Sequence, residues 1–422
     1  MRQLYTLLLY LLAPLVLVRL TWRGLAAPDY WRRWPERFGA IMPPLGKHVI
    51  WIHAVSVGEV QAAEPLVRAL LQRYHAYSIL VTTMTPTGSA RVRALFGSDV
   101  AHVYAPYDLP GAVGRFIGRV RPQLAIVMET ELWPNLYYAC HTDHIPLLLV
   151  NARLSARSLS GYRKVRHLIS ETLSAVTEIA AQSEQDAEHF ESLGADAGTI
   201  TVTGNMKFEQ NIPSGLFESA AALRRDWGVG RPVWIAASTH EGEDEMLLDV
   251  FRQIRKQFSN CLLVLVPRHP ERFEPVAALC RNRGYNTLRR SDRQPCLAET
   301  SILIGDSMGE LPLFYAASDV AFVGGSLVRH GGHNLLEPAA LGIPMVTGPH
   351  LFNFTAISRL LLDAGACVKV DDLSALEQTL ARWLGDANER HRVGELGRVV
   401  VAKNRGALNK VVAMVERYLD IF

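Results

Sequence analysis

Short apolar runs rich in β-branched residues alternate with amphipathic stretches along most of this chain, and the alternation restarts once. Strands that alternate with helices build parallel sheets covered by helices on both faces. Because a weaker stretch over residues 199–205, followed by Pro213 and Ser214, interrupts the series, the sequence predicts two successive doubly wound α/β domains with a hinge at this interruption. The predicted strands cover residues 48–54, 78–83, 101–105, 124–129, 146–150 and 178–182 in the first series, and 233–237, 262–267, 301–305, 320–324 and 344–347 in the second.

The size and charge of the chain agree with two domains and exclude several other classes. With 422 residues, of which 49% are apolar and 20% charged, the chain is too long for one core and too apolar for disorder. The 44 lysines and arginines barely exceed the 41 acidic residues, which excludes a dedicated nucleic-acid binder. The 5 cysteines are an odd number, are widely scattered and form no C-x-x-C pair, which argues against a disulfide framework and a cysteine-rich zinc site and indicates a reduced, cytosolic compartment.

An uncharged apolar segment covers residues 4–18 and is bounded by Arg2 and Arg19. Such a segment, followed by tryptophans and arginines, is typical of a membrane anchor that either spans the bilayer or lies in its interface. We therefore expect an uncleaved anchor over residues 1–22, with the body on the cytoplasmic side because the basic flank follows the apolar run. A cleaved signal peptide and a buried core helix are the alternatives.

The remaining boundaries follow from the two strand series. We expect a first Rossmann-like domain over residues 23–210 and a second over residues 211–400, with a C-terminal helix over residues 401–422 that packs back on the body. Ligands of open α/β sheets bind outside the carboxyl ends of the strands. Two such domains that face one another would form a cleft lined by strand-end loops, which is where the site is expected.

The first strand of the body leads into a turn that contains Ser56, Gly58 and Glu59, ahead of an amphipathic stretch. Gly58 is expected to allow a tight turn, and Glu59 is expected in the first helical turn, where the helix dipole favours an ionised carboxylate. A Glu in this position is equally typical of a simple helix cap. The loop matches neither the dinucleotide-binding nor the P-loop phosphate motif, so a dehydrogenase and a P-loop nucleotidase are not indicated.

Polar residues follow the other predicted strands as well. Glu129 and Glu131 are a candidate acid/base pair, although alternate strand positions point to opposite faces, so only one is expected to face the site. Gly-Gly turns ahead of Asn334 expose N–H groups to an anion, and Glu337 can accept hydrogen bonds from a ribose diol. Phosphate or sugar contacts are favoured over a metal for five histidines without chelating spacing, namely His53, His240, His269, His330 and His333.

The chain carries, in this order, the segments WRRWPERFG, HAVSVGE, TTMTPTG, ETELWPN, NARLS, STHEGE, PRHPERF and HGGHNLLEP. Together with the anchor they resemble the Kdo transferases of lipopolysaccharide assembly, which join 3-deoxy-D-manno-octulosonic acid (Kdo) to a lipid A precursor. The resemblance covers essentially the whole chain. It implies the GT-B glycosyltransferase fold, a CMP-Kdo donor, inversion at the sugar carbon, and the lipid A precursor lipid IVA as acceptor at the bacterial inner (cytoplasmic) membrane.

The resemblance and the residue chemistry together assign the site. Glu59 is the expected catalytic base, the first domain is expected to bind the acceptor, and the second is expected to bind the donor. The expected partners are CMP-Kdo, the lipid A precursor and the membrane, with no nucleic acid, no cofactor and no metal ion. The expected donor-binding residues are Arg268, His269, Gly309, Glu310, Asn334 and Glu337; the acceptor-binding residues are Arg32, Arg33, Arg37, Ser56, Gly58, Thr85 and Glu129; and the phosphate-binding residues are Lys207 and Arg268.

Three alternatives remain open at this point. A transferase of the same architecture with a UDP-sugar donor and a nucleotide-sugar epimerase would share the two domains, but an epimerase has no reason for a hydrophobic N-terminus. A membrane-tethered sugar-nucleotide binding protein without activity is the third alternative. Glu59 at the expected site argues against it, because such a protein needs no base there.

Overall fold

The computed structural model of the protein describes residues 1–26, 31–210 and 212–419. These residues divide into two units, each with its own sheet and core. Unit 1 comprises Met1–Glu209 together with the segment that begins at Arg405, and unit 2 comprises Gln210–Asn404. The chain therefore leaves unit 1 at Glu209 and returns to it for its last helix.

Unit 1 is built on a parallel sheet of seven strands, counted over the described residues. The strands are β1 (Val49–His53), β2 (Ser78–Thr83), β3 (Ala101–Tyr104), β4 (Leu124–Met128), β5 (Leu147–Ala152), β6 (Glu178–Ala181) and β7 (Ile200–Val202). Their order in the sheet is β3-β2-β1-β4-β5-β6-β7. The central strands β1 and β4 are buried along their whole length, as expected for apolar runs that carry helices on both faces.

Unit 1 has eight α-helices among the described residues before Glu209. They are α1 (Arg2–Ala26), α2 (Val57–Arg73), α3 (Pro86–Phe96), α4 (Pro110–Val120), α5 (Pro134–Thr142), α6 (Ala156–Arg163), α7 (Arg166–Leu173) and α8 (Glu184–Ser192). Helices α2 and α3 pack on one face, and α4, α5 and α7 pack on the other. Helices α3, α4 and α5 each begin with a proline, a position where the missing N–H costs nothing.

Unit 2 repeats the plan with a second parallel sheet of seven strands within the described residues. The strands are β8 (Val233–Thr239), β9 (Leu262–Pro267), β10 (Thr287–Arg289), β11 (Ile302–Ile304), β12 (Val320–Val323), β13 (Met345–Thr347) and β14 (Cys367–Lys369). Their order is β10-β11-β9-β8-β12-β13-β14. The predicted pair of doubly wound α/β domains is therefore confirmed.

Eight helices of unit 2 lie within the described residues. They are α9 (Leu216–Trp227), α10 (Glu243–Gln257), α11 (Phe273–Asn282), α12 (Leu311–Ala316), α13 (Leu336–Leu341), α14 (Thr355–Asp363), α15 (Leu373–Gly385) and α16 (Ala387–Lys403). The core that they share with the sheet is centred on Trp234, Phe251 and Trp383, all fully buried.

The last helix, α17 (Ala407–Val415), belongs to unit 1. Its residues Val411, Met414 and Val415 lie in the same core cluster as Ile50 of β1 and Leu66 of α2. One face of the first sheet is thus completed by the C-terminal end of the chain.

All eleven predicted strands coincide with observed ones. The three observed strands that were not predicted are short and lie at the edges of the two sheets. Strands β7, β10 and β14 each have three residues and are only partly buried. A strand of this length shows too little alternation or apolar character to be separated from a loop by sequence pattern. Gly58 is a second difference, because it lies inside the first turn of α2 without a positive φ, so it does not provide the predicted tight turn.

The predicted anchor is a single helix, α1, which contains Pro14. Among the described residues it is the one helix that is long and apolar enough to cross a membrane, over Arg2–Trp22, by length and composition. None of its apolar window is buried. The alternative of a buried core helix is therefore wrong.

Helix α16 approaches the end of α13 so closely that a Cβ added to Gly394 would meet the Gly342 carbonyl oxygen at 1.9 Å. We expect Gly394→Ala to lower the free energy of unfolding by about 1–3 kcal/mol, the usual cost of overpacking. Gly114→Ala in α4 is the matched control, because nothing lies within 4 Å of its Cβ position, and it should raise stability by about 0.5–1 kcal/mol. Urea unfolding measures both, and equal stability of the two variants would contradict the packing.

Candidate active site

The strand order reverses between β1 and β4 in unit 1 and between β8 and β12 in unit 2. At such a switch point the loops after neighbouring strands run to opposite sides and leave a crevice, which is where open α/β sheets bind ligands. In unit 1 the loops at the switch point carry Glu59 and residues 129–131. In unit 2 they carry residues 240–243 and 324–327.

The Glu59 side chain is held at the start of α2 by Ser56 and Val55, which precede the helix. The Ser56 hydroxyl accepts the Glu59 N–H at 3.3 Å and donates to the Glu59 carboxylate at 2.8 Å. The other carboxylate oxygen accepts the Val55 N–H at 2.8 Å. The anticipated capping role is thus present, and each oxygen keeps a lone pair for a further donor.

The environment of Glu59 disfavours its charge. Burial, helped by the nearby carboxylates of Glu131 and Glu129, raises the pKa of Glu59 to about 8, although the Ser56 and Val55 hydrogen bonds act in the opposite direction. Glu59 as a residue is 8% exposed. A carboxyl with a pKa near the working pH is better suited to proton removal than an ordinary one, because its ionised form is a stronger base.

Glu129 and Glu131 lie in the loop after β4 and not on the strand, which ends at Met128. The alternation that was expected to separate the two side chains therefore does not apply. Glu129 has a positive φ of 56°. Its carboxylate pairs with Lys207 Nζ at 2.8 Å and with Arg153 Nε at 3.0 Å, so Lys207, predicted to bind phosphate, lies beside a carboxylate.

Glu131 and His53 shape the floor of this switch point. The Glu131 carboxylate accepts the Trp133 indole N–H at 2.8 Å. His53 is 1% exposed, contacts the Trp133 ring edge-on at 4.6 Å and bonds to the Thr82 hydroxyl through Nδ1 at 2.9 Å. Burial lowers the pKa of His53 to about 3, so the ring is neutral. Its burial excludes the direct phosphate or sugar contact that was considered for it.

Arg37, predicted to bind the acceptor, is instead an internal residue that is 2% exposed. Its guanidinium lies over the Tyr104 ring, 4.1 Å from the centroid, and donates to the Met84 carbonyl at 3.1 Å. The next residue, Thr85, caps α3 by accepting the Gly88 N–H at 3.1 Å. Arg37 therefore supports the loop after β2 from inside the fold.

Arg33 also bonds within the fold, whereas the Arg32 side chain is exposed. Arg33 pairs with Glu36 at 2.6 Å and donates to the His102 carbonyl at 2.8 Å, so its charge is largely used within unit 1. Arg32 is exposed. Of the three predicted arginines, Arg32 has the most accessible side chain.

Glu243 is the residue that sequence reasoning missed in unit 2. It is fully buried at the start of α10 and accepts four backbone N–H groups. One oxygen accepts from His240 at 2.9 Å and Gly325 at 2.7 Å, and the other accepts from Ser326 and Leu327, both at 3.0 Å. These bonds join the loops after β8 and β12 across the switch point. No local sequence signal reveals them, because three of the partners lie more than 80 positions away.

Four histidines gather beside this turn. The Nε2 atoms of His240 and His333 are 2.8 Å apart, and the His330 and His269 rings lie 4.0 Å and 5.5 Å from the His240 ring. Burial is the main cause that lowers the pKa of His240 to about 4 and that of His333 to about 3. Both rings are neutral, so one donates to the other. In the described part of the chain, no group of three or more His, Cys, Asp or Glu residues has the arrangement of a metal site.

Arg268 and the segment from Asn334 to Glu337 lie on the same side of unit 2. The exposed Arg268 guanidinium makes no hydrogen bond or ion pair with any described residue, and its charge contributes to the low pKa of His333. Asn334 donates to Glu337 at 3.0 Å and accepts the Leu336 N–H at 3.0 Å, which fixes the entry to α13. A ligand that carries an anionic group and a diol would thus find a guanidinium and neutral imidazoles for the anion and a carboxylate for the diol.

Glu310 is engaged by its own neighbours. Arg290 donates to its carboxylate from Nε at 3.0 Å and from Nη2 at 2.8 Å, and the Ser307 hydroxyl donates as well. The Arg290 hydrogen bond holds the pKa of Glu310 below its usual value. Gly309 has a φ of 86°, which favours glycine, and an open Cβ position. The backbone at 309–310, and not the Glu310 carboxylate, is therefore available to a bound donor substrate.

Two family models match this chain. Residues 32–210 match a model described as 3-deoxy-D-manno-octulosonic-acid transferase, and residues 238–400 match one described as glycosyl transferases group 1. A 3-deoxy-D-manno-octulosonic acid transferase of Haemophilus influenzae is 45% identical over 422 residues, with 99% of this chain and 98% of the relative covered. An enzyme of the same name from Bordetella pertussis is 37% identical over 434 residues, with 99% of each chain covered.

A solved structure shares the two-domain architecture. The UDP-GlcNAc 2-epimerase of Neisseria meningitidis bound to UDP-GlcNAc aligns with a TM-score of 0.58 and 13% identity, covering 88% of this chain and 100% of that chain. At this identity the likeness concerns the fold alone, which is GT-B-like.

Glu243→Gln should test whether the buried carboxylate holds the unit 2 switch point. The amide offers one acceptor oxygen and turns N–H donors towards two backbone N–H groups, so we expect the free energy of unfolding to fall by about 1–3 kcal/mol. Glu241→Gln, two positions earlier and exposed, is the matched control and should leave stability within about 0.5 kcal/mol of wild type. Guanidinium unfolding followed by circular dichroism measures both. Equal midpoints would show that the four hydrogen bonds contribute little.

Proposed function

Because this chain belongs to the family of 3-deoxy-D-manno-octulosonic acid transferases, we propose that it moves Kdo from CMP-Kdo to the lipid A precursor lipid IVA with inversion at the sugar carbon. The chain is a glycosyltransferase that transfers Kdo in lipopolysaccharide core biosynthesis. Family membership also removes the reason to treat the chain as a binding protein or an epimerase.

The observation that carries the proposal is the Glu59 carboxylate, fixed at the unit 1 switch point with a raised pKa. In direct displacement the acceptor hydroxyl oxygen bonds to the anomeric carbon of Kdo while the bond from that carbon to the CMP phosphate oxygen breaks. A base must take the hydroxyl proton as the new bond forms. Glu59 is that base, and the Ser56 and Val55 bonds keep its carboxylate from rotating.

Unit 2 supplies the donor side. Arg268 meets the phosphate, whose negative charge grows as CMP leaves, and the backbone at Gly309 and Glu310 adds N–H groups. Neutral His333 and its neighbour His269 can donate hydrogen bonds to the donor's phosphate or carboxylate. Glu337, oriented by Asn334, accepts hydrogen bonds from the ribose hydroxyls.

The acceptor side is assigned to unit 1. The lipid A precursor carries phosphates, so an accessible cation is useful there, and Arg32 is the candidate. Arg33 and Arg37 act indirectly, because they shape the segments that carry Thr85 and the loop after β2. Lys207, held by Glu129 at 2.8 Å, can shift to a phosphate because its ammonium group has three donors.

Helix α1 brings this unit to the acceptor. Its exposed apolar surface and the arginines after it suit a bilayer with anionic lipids. We place the protein at the bacterial inner membrane with its body on the cytoplasmic side, because the basic flank follows the apolar run. The acyl chains of the acceptor remain in the bilayer while its sugar reaches the enzyme.

Replacement of Glu59 by Gln should remove the base and keep the shape. Turnover is expected to fall on the order of a hundredfold or more, while CMP affinity stays unchanged. Wild-type turnover should rise with pH, reach half its maximum near pH 8 and level off only above that, because deprotonation creates the active base; the variant should lack this limb. Glu64→Gln, which alters an ion-paired residue on the same helix, is the control. A fully active Glu59→Gln variant, or an unchanged pH limb, would exclude Glu59 as the base.

Truncation of Glu337 should weaken nucleotide binding. Glu337→Ala leaves the ribose hydroxyls without their acceptor, so calorimetry should show CMP affinity reduced by about 1–3 kcal/mol. Glu395→Ala removes an exposed, ion-paired carboxylate of the same unit and should bind CMP like wild type. Unchanged CMP affinity of the Glu337 variant would show that another residue binds the ribose hydroxyls.

A further inference from the structure

One side of helix α1 is less exposed than the other. The partly or fully covered positions are 2, 5, 6, 9, 13, 20 and 24, whose spacing of three, four or seven places them on one side of a helix. The opposite side carries large apolar side chains with exposed fractions between 49% and 75%, namely Leu4, Leu7, Leu8, Leu11, Leu12, Leu15, Val18, Trp22 and Leu25. The less exposed side is the one that contacts α5 through the first turns of the helix.

The N-terminal end of α1 is held by polar contacts with α5 and the loop before α4. The Tyr5 hydroxyl donates to Asp108 at 3.0 Å, and Arg2 and Thr6 donate to the Asn135 side chain at 3.3 Å and 3.0 Å. The Arg2 guanidinium also lies 3.4 Å from the centre of the Tyr138 ring. We call Arg2, Tyr5, Thr6, Asp108 and Asn135 the N-terminal latch.

The latch is built into the fold of unit 1. Asp108 is buried and accepts the backbone N–H groups of Asn135 and Leu136 at 3.1 Å and 2.8 Å, so it caps the start of α5. The Asn135 side chain donates to the Asp108 carbonyl at 2.7 Å. Both partners of α1 are thus positioned by bonds that do not involve α1.

The other end of α1 is also close to unit 1. The Trp31 indole donates to the Thr21 carbonyl at 3.1 Å. Two residues after Trp31, the Arg33 side chain bonds to Ser89 of α3 at 3.2 Å and to the His102 carbonyl of β3 at 2.8 Å. The residues that follow α1 are therefore tied to the same unit that holds its N-terminal end.

A helix of this length has two ways to meet a bilayer. Its 25 residues extend about 37 Å, enough to cross a hydrocarbon core of about 30 Å. Crossing would place Arg2 and Arg33 on opposite sides of the membrane, but Arg2 bonds to α5 and Arg33 bonds to α3 and β3 of the same unit. Release of the latch would also leave Asp108 and Asn135 without their partners from α1.

We propose that α1 does not span the membrane but lies in the plane of its interface, with the exposed leucine face in the acyl region and the covered face on unit 1. The occupant of the exposed face is a bilayer with anionic phospholipids, since exposed Arg19 and Arg32 flank the apolar surface. This inference rests on the proposed function in that a membrane lies beside the protein. It places the N-terminus on the same side as the catalytic body.

Cysteine labelling of the full chain in membranes tests the side directly. The native cysteines are buried, so background labelling is low. Gln3→Cys is exposed and outside the latch, and Ser219→Cys marks the body from an exposed position of α9. With an impermeant maleimide, both variants should react in inverted inner-membrane vesicles and neither in spheroplasts. Labelling of Gln3→Cys in the opposite preparation from Ser219→Cys, or only after detergent is added, would overturn the proposal.

A cross-link tests the latch in the same membranes. Oxidation of a Thr6→Cys, Asn135→Cys variant should form an intramolecular disulfide, whereas Tyr10→Cys, Asn135→Cys, with the exposed Tyr10 replaced, should not. Absence of the first disulfide, or equal yield in the control pair, would show that α1 is not docked. Kdo transfer is assayed separately. Loss of transfer in the wild type would count against the proposed function and leave the labelling result intact.

Discussion

A buried carboxylate holds the loops at the switch point of each sheet, and the rest of both sites depends on these two groups. Glu243 in unit 2 has both oxygens filled by four backbone N–H groups. Glu59 in unit 1 accepts one N–H and one hydroxyl, and burial raises its pKa. The first carboxylate is saturated and fixes a loop. The second is incompletely satisfied, and that deficit makes it available for proton transfer.

The fold could be predicted from the sequence because parallel strands buried on both faces are apolar from end to end. Strands β1 and β4 are examples. Once β1 is recognised, Glu59 is placed in the turn that follows it. What could not be predicted depends on partners distant in sequence. The environment of Glu129 depends on Lys207, and that of Glu243 depends on a turn more than 80 positions away. No periodicity within one segment reports such contacts.

The N-terminal arginines show that the accessibility of a charged side chain also cannot be predicted from the sequence. A cluster of basic residues beside tryptophans indicates a surface that binds anions. The exposed Arg32 side chain agrees with that interpretation. Arg37, five positions later, is buried against Tyr104 and the loop after β2. The planar guanidinium can stack on a ring and donate to carbonyls at once, so it serves inside a fold as readily as outside it. Sequence counts of positive charge therefore overstate the charge that a substrate can meet.

The return of α17 to unit 1 affects how the chain is made. The helix contributes Val411, Met414 and Val415 to a core that also contains Ile50 and Leu66. A ribosome that has finished β7 has produced every strand of the first sheet but not the helix that covers part of its apolar face. Unit 2 can complete its fold from contiguous chain, whereas the N-terminal unit stays unfinished until α17 has been synthesised. During that interval its open face is exposed to aggregation, and a chain cut short near its C-terminus would lose the core of the domain that was synthesised first.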